Sequence, residues 1–140
     1  MTIEHIGLSV PAPRSMAEWY CGHLGFRHIR GGGSDSDGAA FIADDVGETV
    51  LEIFKLPEVD ALPLRDLIPI QLHVAIDCRD PYKTAMALVK HGAEFVGEAP
   101  RNTYKGEKYL IRDPWGLVIQ LVNREAKLDK NYNKPDSGDA

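Results

Sequence analysis

The sequence predicts an α+β domain built from two paired βαβββ modules whose curved sheets form a cup. Three observations predict it. The chain repeats itself at a shift of 68 residues, each copy runs through the same order of strand and helix patterns, and four strands carry a single polar residue on an otherwise apolar second face. At that shift His5 falls on His73, Pro13 on Pro81, Ala17 on Ala85, His23 on His91, Asp45 on Asp113, Val50 on Val118 and Glu52 on Gln120. Ile6 meets Val74, Leu8 meets Ile76, Phe41 meets Tyr109 and Leu51 meets Ile119, with no gap needed from His5 to Phe54.

In the first copy IEHIGLSV alternates as a strand. A helix follows from about Pro13 to Leu24, with Met16, Trp19, Tyr20 and Leu24 on one face. SMAE, from Ser15 to Glu18, reads as a capping box, but the repeat favours Pro13 as the first helical residue, because Asp80-Pro81 is a clean cap followed by proline. FRHIR, the turn GGGSDSDG, AAFIAD and TVLEIFKL complete the copy. The second runs QLHVAIDC, helix PYKTAMALVKH with Gly92 as its cap, then AEFVGEA, KYLIRD and LVIQLVN. The modules are expected at 1–56 and 69–124. A linker at 57–68, within the proline-bearing stretch LPEVDALPLRDLIP, joins them, and a polar tail occupies 125–140.

Composition sets bounds on function. The chain has 140 residues, 44% of them hydrophobic, enough for one domain with a real core. A net charge of −5 gives no nucleic-acid footprint, and no apolar run reaches membrane-spanning length. MTIEHIGLSV reads as a strand rather than a secretory leader. Cys21 and Cys78 form neither a CxxC motif nor a disulfide framework, so both are expected reduced, in a cytoplasmic setting.

Strand parity singles out the candidate site. Ile6, Leu8 and Val10 oppose His5; Leu51 and Ile53 oppose Glu52; Leu72, Val74 and Ile76 oppose His73; Leu117, Ile119 and Leu121 oppose Gln120. The apolar faces should take the helices. Burying the others unpaired costs on the order of 2–7 kcal/mol for each neutral group, and more for the carboxylate. A shared divalent cation satisfies all four. Two imidazoles, a carboxylate and an amide form an N/O set suited to Zn, Ni, Fe(II), Mn or Co. Taken singly, a strand histidine or glutamine is ordinarily a partly buried or surface group. The repeat-related pairing on matching parity is what marks these four. His23, His28 and His91 lack it and read as helix-end or surface residues.

Paired βαβββ units with a histidine opening each and an acid or amide on each last strand resemble the vicinal oxygen chelate superfamily, which includes glyoxalase I, fosfomycin-resistance proteins, methylmalonyl-CoA epimerase, extradiol dioxygenases and bleomycin-resistance proteins. EHIGLSV, WYCGHLGF and YLIRDPWGLVIQLV carry the likeness over about residues 1–124, the last with Gln120 where glutamate is commoner. The resemblance implies metal positions at His5, Glu52, His73 and Gln120, a small-molecule substrate with two neighbouring oxygens, and a homodimer. It implies a glyoxalase I-like lyase or isomerase; the family's proton-transferring carboxylate falls where Gln120 stands, so Glu52, the one carboxylate of the set, is the candidate base. An Fe(II) ring-cleaving dioxygenase and a metal-free small-molecule binding protein are the alternatives. Phe41 and Tyr109, equivalent under the repeat, are expected to line the cup. Arg101 and Asn102, with Tyr104 in the same polar loop, are candidates to contact an anionic substrate, and Trp115 is expected to pack at its turn.

Overall fold

The computed structural model describes residues 1–32, 34–99 and 106–128. Strand β1 (Ile6–Ser9), helix α1 (Pro13–Leu24), β2 (Arg27–Gly31), β3 (Gly38–Ala43) and β4 (Val50–Lys55) make the first module. Strand β5 (His73–Asp77), helix α2 (Pro81–Val89), β6 (Glu94–Glu98), β7 (Gly106–Arg112) and β8 (Val118–Arg124) make the second. Each module folds one four-stranded sheet, in the orders β1-β4-β3-β2 and β5-β8-β7-β6. The first strand of each lies parallel to the last, and the other pairings are antiparallel. The fold is the α+β pair of βαβββ modules that the repeat predicts.

Both helices open on proline, where the missing N–H is an orphan in any case. Asp80 caps α2 by accepting the Lys83 N–H at 2.9 Å. Ser15 does not cap α1; its N–H and hydroxyl go to the Asp35 carboxylate in the β2–β3 turn. Gly25, at φ 72, closes α1 in the left-handed conformation. Helix α2 ends at Val89, short of Gly92.

The apolar parities face the helices as expected. Leu8, Ile42, Leu51 and Ile53 join Met16 and Tyr20 of α1, and Ile111, Ile119 and Leu121 join Ala85 and Leu88 of α2, in one continuous core. The modules meet through α1. The Trp19 indole donates to the His91 carbonyl at 2.8 Å, its ring edge meets Trp115, and His23 stacks on His91 with centroids 4.1 Å apart. The Tyr20 hydroxyl donates to Asp113 Oδ2 at 3.0 Å. Asp113 is 1% exposed, and its Oδ1 also accepts the Trp115 and Leu117 amides, both at 2.9 Å. Burial pushes the Asp113 carboxyl above its ordinary range against these hydrogen bonds, and burial likewise pushes Tyr20 well up.

One part of the repeat needs correction. Asp113 is matched structurally by Asp44, not Asp45. Asp44 Oδ1 accepts the Glu48 and Thr49 amides, and its own N–H goes to the Thr49 carbonyl, as that of Asp113 goes to Leu117. Ala43 pairs with Val50 across the first hairpin and Arg112 with Val118 across the second, so the second loop is one residue shorter. Because side chains alternate, that single deletion turns β7 over relative to β3. Phe41 lies opposite Glu52, but it is Leu110 that lies opposite Gln120.

Candidate functional site

The site is built on the sheet faces turned away from the helices. In the first module Gly7 and Phe41 both pair with Glu52, placing Glu52 and Phe41 on one face with His5, the residue just before β1. The Nε2 of His5 lies 3.2 Å from Glu52 Oε2, and the edge of the Phe41 ring stands against the imidazole at 5.4 Å between centroids. A Cβ on Gly7 would sit 3.3 Å from Glu52 Oε2, so the bare glycine leaves room for the carboxylate beside the strand. The Nδ1 of His5 bonds Glu4. The hydrogen bond that His5 donates to the Glu4 carboxylate chiefly, and the nearby Glu4 and Glu52 charges, raise the His5 pKa, opposed by a smaller effect of burial. The surroundings of this imidazole therefore favour positive charge.

In the second module Ala75 pairs with Gln120 and His73 with Val118, which puts His73 and Gln120 on one face as diagonal neighbours. Gln120 is 7% exposed, between Val118 and Val122. The Nδ1 of His73 is buried and has no hydrogen-bond partner among the described residues. An unsatisfied buried ring nitrogen costs about 1–3 kcal/mol, so the position calls for a further partner. The donors present, an imidazole beside a carboxylate in one module and an orphaned imidazole nitrogen beside an amide in the other, are of types that ligate divalent cations.

The chain brings the four residues together as two pairs. Among the described residues no three His, Cys, Asp or Glu side chains form a metal-holding group, so His73 does not join His5 and Glu52 within one copy. β1, which His5 immediately precedes, and β5, which His73 opens, are both edge strands.

Phe41 lies in the site and Tyr109 does not. Tyr109 pairs with Leu121 on the helix-facing side and packs its ring against Tyr82 of α2 at 5.4 Å. The shortened hairpin is the reason. Trp115 packs against the core at its turn, as expected. Arg101, Asn102 and Tyr104 fall outside the described residues. His28 faces α1, and His23 and His91 form the stacked pair at the module junction. Sequence reading missed Lys108, which pairs with Val122 on the Gln120 face and is only 8% exposed. Alternation along β7 would have found it once the hairpin was given its true length.

The comparisons agree with this architecture. The model of the Glyoxalase/Bleomycin resistance protein/Dioxygenase superfamily matches residues 2–121. No curated protein matches the sequence. Among solved structures, a glyoxalase family protein from Bacillus cereus is 19% identical, with a TM-score of 0.69 over 90% of this chain and 95% of that one. The fosfomycin resistance protein FosX from Listeria monocytogenes, in complex with Mn(II) and sulfate, is 16% identical, with a TM-score of 0.65 over 86% and 88%. TnmS3, an antibiotic binding protein from Streptomyces sp. CB03234, is 23% identical, with a TM-score of 0.55 over 89% and 99%. These likenesses are likenesses of fold. With nearly the whole described fold covered by the family model, the chain belongs to the Glyoxalase/Bleomycin resistance protein/Dioxygenase superfamily.

Proposed function

We propose that this protein is a metal-dependent enzyme of the lyase or isomerase type, acting on a small substrate with vicinal oxygens, and that its complete site forms between two copies of the chain. The observation that carries the reading is the pair of half-sites: His5 and Glu52 3.2 Å apart in one module, and His73, with its orphaned nitrogen, beside Gln120 in the other. FosX, which binds Mn(II) on the same fold, supports a divalent ion here, with Zn, Ni, Fe(II), Mn and Co all compatible with the donors. Such an ion would supply Lewis-acid stabilisation of enolate or oxyanion charge.

The chain's own groups do the rest. Glu52 is the carboxylate placed to take a proton from a carbon next to a carbonyl and to return it elsewhere on the substrate. Phe41 walls the His5 side and keeps water from that flank. Gln120 binds without adding charge: with two neutral histidines, one glutamate and one glutamine, a divalent ion keeps about +1, whereas a second carboxylate would neutralise it. A homodimer would join the half-sites. Exposed apolar residues beside the two edge strands, Ile3 and Ile6 near β1 and Ile68, Ile70 and Leu72 ahead of β5, support such a contact. Both cysteines are free, which supports a reducing, cytoplasmic setting.

The dioxygenase alternative is weakened by Gln120: His5, His73 and Glu52 have the composition of a facial triad, but extradiol enzymes of this family usually draw the carboxylate from the last strand, where Gln120 sits. The binding-protein alternative draws support from TnmS3 and from the apolar cluster of Ala99, Leu110 and Val118 beside Gln120. Turnover separates them. Metal-loaded protein should convert thiol adducts of 2-oxoaldehydes or a related chelating substrate, and Glu52→Gln, reloaded with metal, should lose at least about 100-fold in kcat. Full activity in that variant would end the assignment of Glu52 as base, and tight ligand binding by metal-free protein without turnover would favour the binding protein.

A further inference from the structure

The two half-sites differ one residue before each histidine. The registers of the modules match there: Ile6 pairs with Leu51 as Val74 pairs with Ile119, and Gly7 pairs with Glu52 as Ala75 pairs with Gln120. His5 and His73 therefore hold the same place in their sheets, and so do Glu4 and Leu72. The imidazoles are held differently. His5 Nδ1 bonds the Glu4 carboxylate, while its Nε2 lies 3.2 Å from Glu52 Oε2. His73 Nδ1 is buried with no hydrogen-bond partner among the described residues, and the Leu72 side chain has no acceptor to offer it. Packing and strand pairing do not account for the Glu4 carboxylate. Its side chain is 83% exposed and it lies ahead of β1. A bond between two such groups adds little stability, so its consequence is the orientation of the ring.

We propose that Glu4 is a positioning residue: it holds the proton of His5 on Nδ1 and so presents Nε2 as a ready ligand atom for the divalent ion. This rests on the reading of His5 and Glu52 as metal ligands. A neutral imidazole carries its proton on one nitrogen only, and the bond made by one nitrogen decides whether the other is free to ligate. His5 lies between two carboxylates that compete for that proton. With the proton on Nδ1 and directed at Glu4, the lone pair of Nε2 points to the Glu52 side, where the ring edge of Phe41 also stands against the imidazole. With the proton on Nε2, Glu52 would engage it and that atom could not ligate. A histidine ligand whose other nitrogen donates to a carboxylate is both oriented and made more basic, and loss of such a partner costs about 10–100-fold in metal affinity. The second module lacks this device, because Leu72 stands where Glu4 does. His5 is thus the ligand oriented before an ion arrives, and His73 is the one that nothing before it in the chain orients.

Glu4→Leu copies the residue of the second module into the first, and tests this. Glu4 is exposed and outside the strands, so the variant should unfold at the same temperature as the unaltered protein. Nitrogen NMR of the imidazoles in the metal-free full chain, at a pH high enough to keep them neutral, reads the proton directly. His5 should carry it on Nδ1 in the unaltered protein and in Glu4→Gln, whose amide oxygen still accepts, and on Nε2 in Glu4→Leu. Titration with Zn(II) should then show Glu4→Leu binding about tenfold or more weakly and Glu4→Gln within about threefold of the unaltered protein. A proton on Nε2 of His5 in the unaltered protein would overturn the assignment. So would a Glu4→Leu protein that keeps either the tautomer or the Zn(II) affinity of the unaltered one. If the unaltered protein takes up no Zn(II), the metal reading fails separately, and the tautomers of His5 in the metal-free proteins still decide whether Glu4 sets the proton.

Discussion

Asp113→Ala will lower stability by about 3 kcal/mol, a large effect for a residue away from the site. Three donors converge on that carboxylate: the Tyr20 hydroxyl and the Trp115 and Leu117 amides. Each loses its acceptor in a place where water does not reach, at about 1 kcal/mol or more apiece. The damage is wider than one turn, because the Tyr20 bond ties α1 to the β7–β8 hairpin and so ties the modules together. For a domain of this size the change corresponds to roughly 10 °C in Tm. Tyr20→Phe removes one of the three bonds and should cost about 1 kcal/mol. The pH dependence has a definite sign. Burial raises the folded pKa of Asp113 above its unfolded value. Its contribution is therefore fully present below the ordinary carboxylate range and declines as pH rises through the raised value. The gap between the unaltered protein and Asp113→Ala should narrow across that window in urea unfolding. A loss under about 1 kcal/mol would show that the convergence on Asp113 does not hold the modules together.

His73→Ala will cost roughly 100-fold or more in divalent-metal affinity while leaving the fold intact. The two halves of this expectation come from the same atom. Among the described residues Nδ1 of His73 is buried without a partner, so in metal-free protein the imidazole contributes little and its removal relieves an unsatisfied group. Thermal unfolding of metal-free His73→Ala should match the unaltered protein to within about 1 kcal/mol, or exceed it. Added metal should stabilise the unaltered protein and not the variant, since only a folded state that binds the ion gains from it. Equal metal affinity in the two proteins would remove His73 from the ligand set.

Much of this was legible in the sequence because alternation is a hard constraint. His5, Glu52, His73 and Gln120 each oppose apolar neighbours, and each lies on the sheet face away from the helices. The capping Asp80-Pro81 was equally plain, since its chemistry is local. The orientation of β7 was not legible. Asp45 and Asp113 align in sequence, while the hydrogen bonds show Asp44 as the true counterpart, and two adjacent aspartates gave nothing to choose between them. That one-residue difference hid Lys108 and placed Tyr109 wrongly. The separation of the half-sites was not legible either. It depends on how the modules pack, through Trp19, Tyr20, His91 and Asp113, and such contacts leave no periodic signal.

The central claim is that His5, Glu52, His73 and Gln120 are divalent-metal ligands, and metal analysis of protein purified without added metal or chelator tests it most directly. The account predicts close to one Zn, Ni, Fe(II), Mn or Co ion per chain, held through gel filtration. Protein that is metal-free as isolated, and that takes up none of these ions when they are supplied, would contradict it.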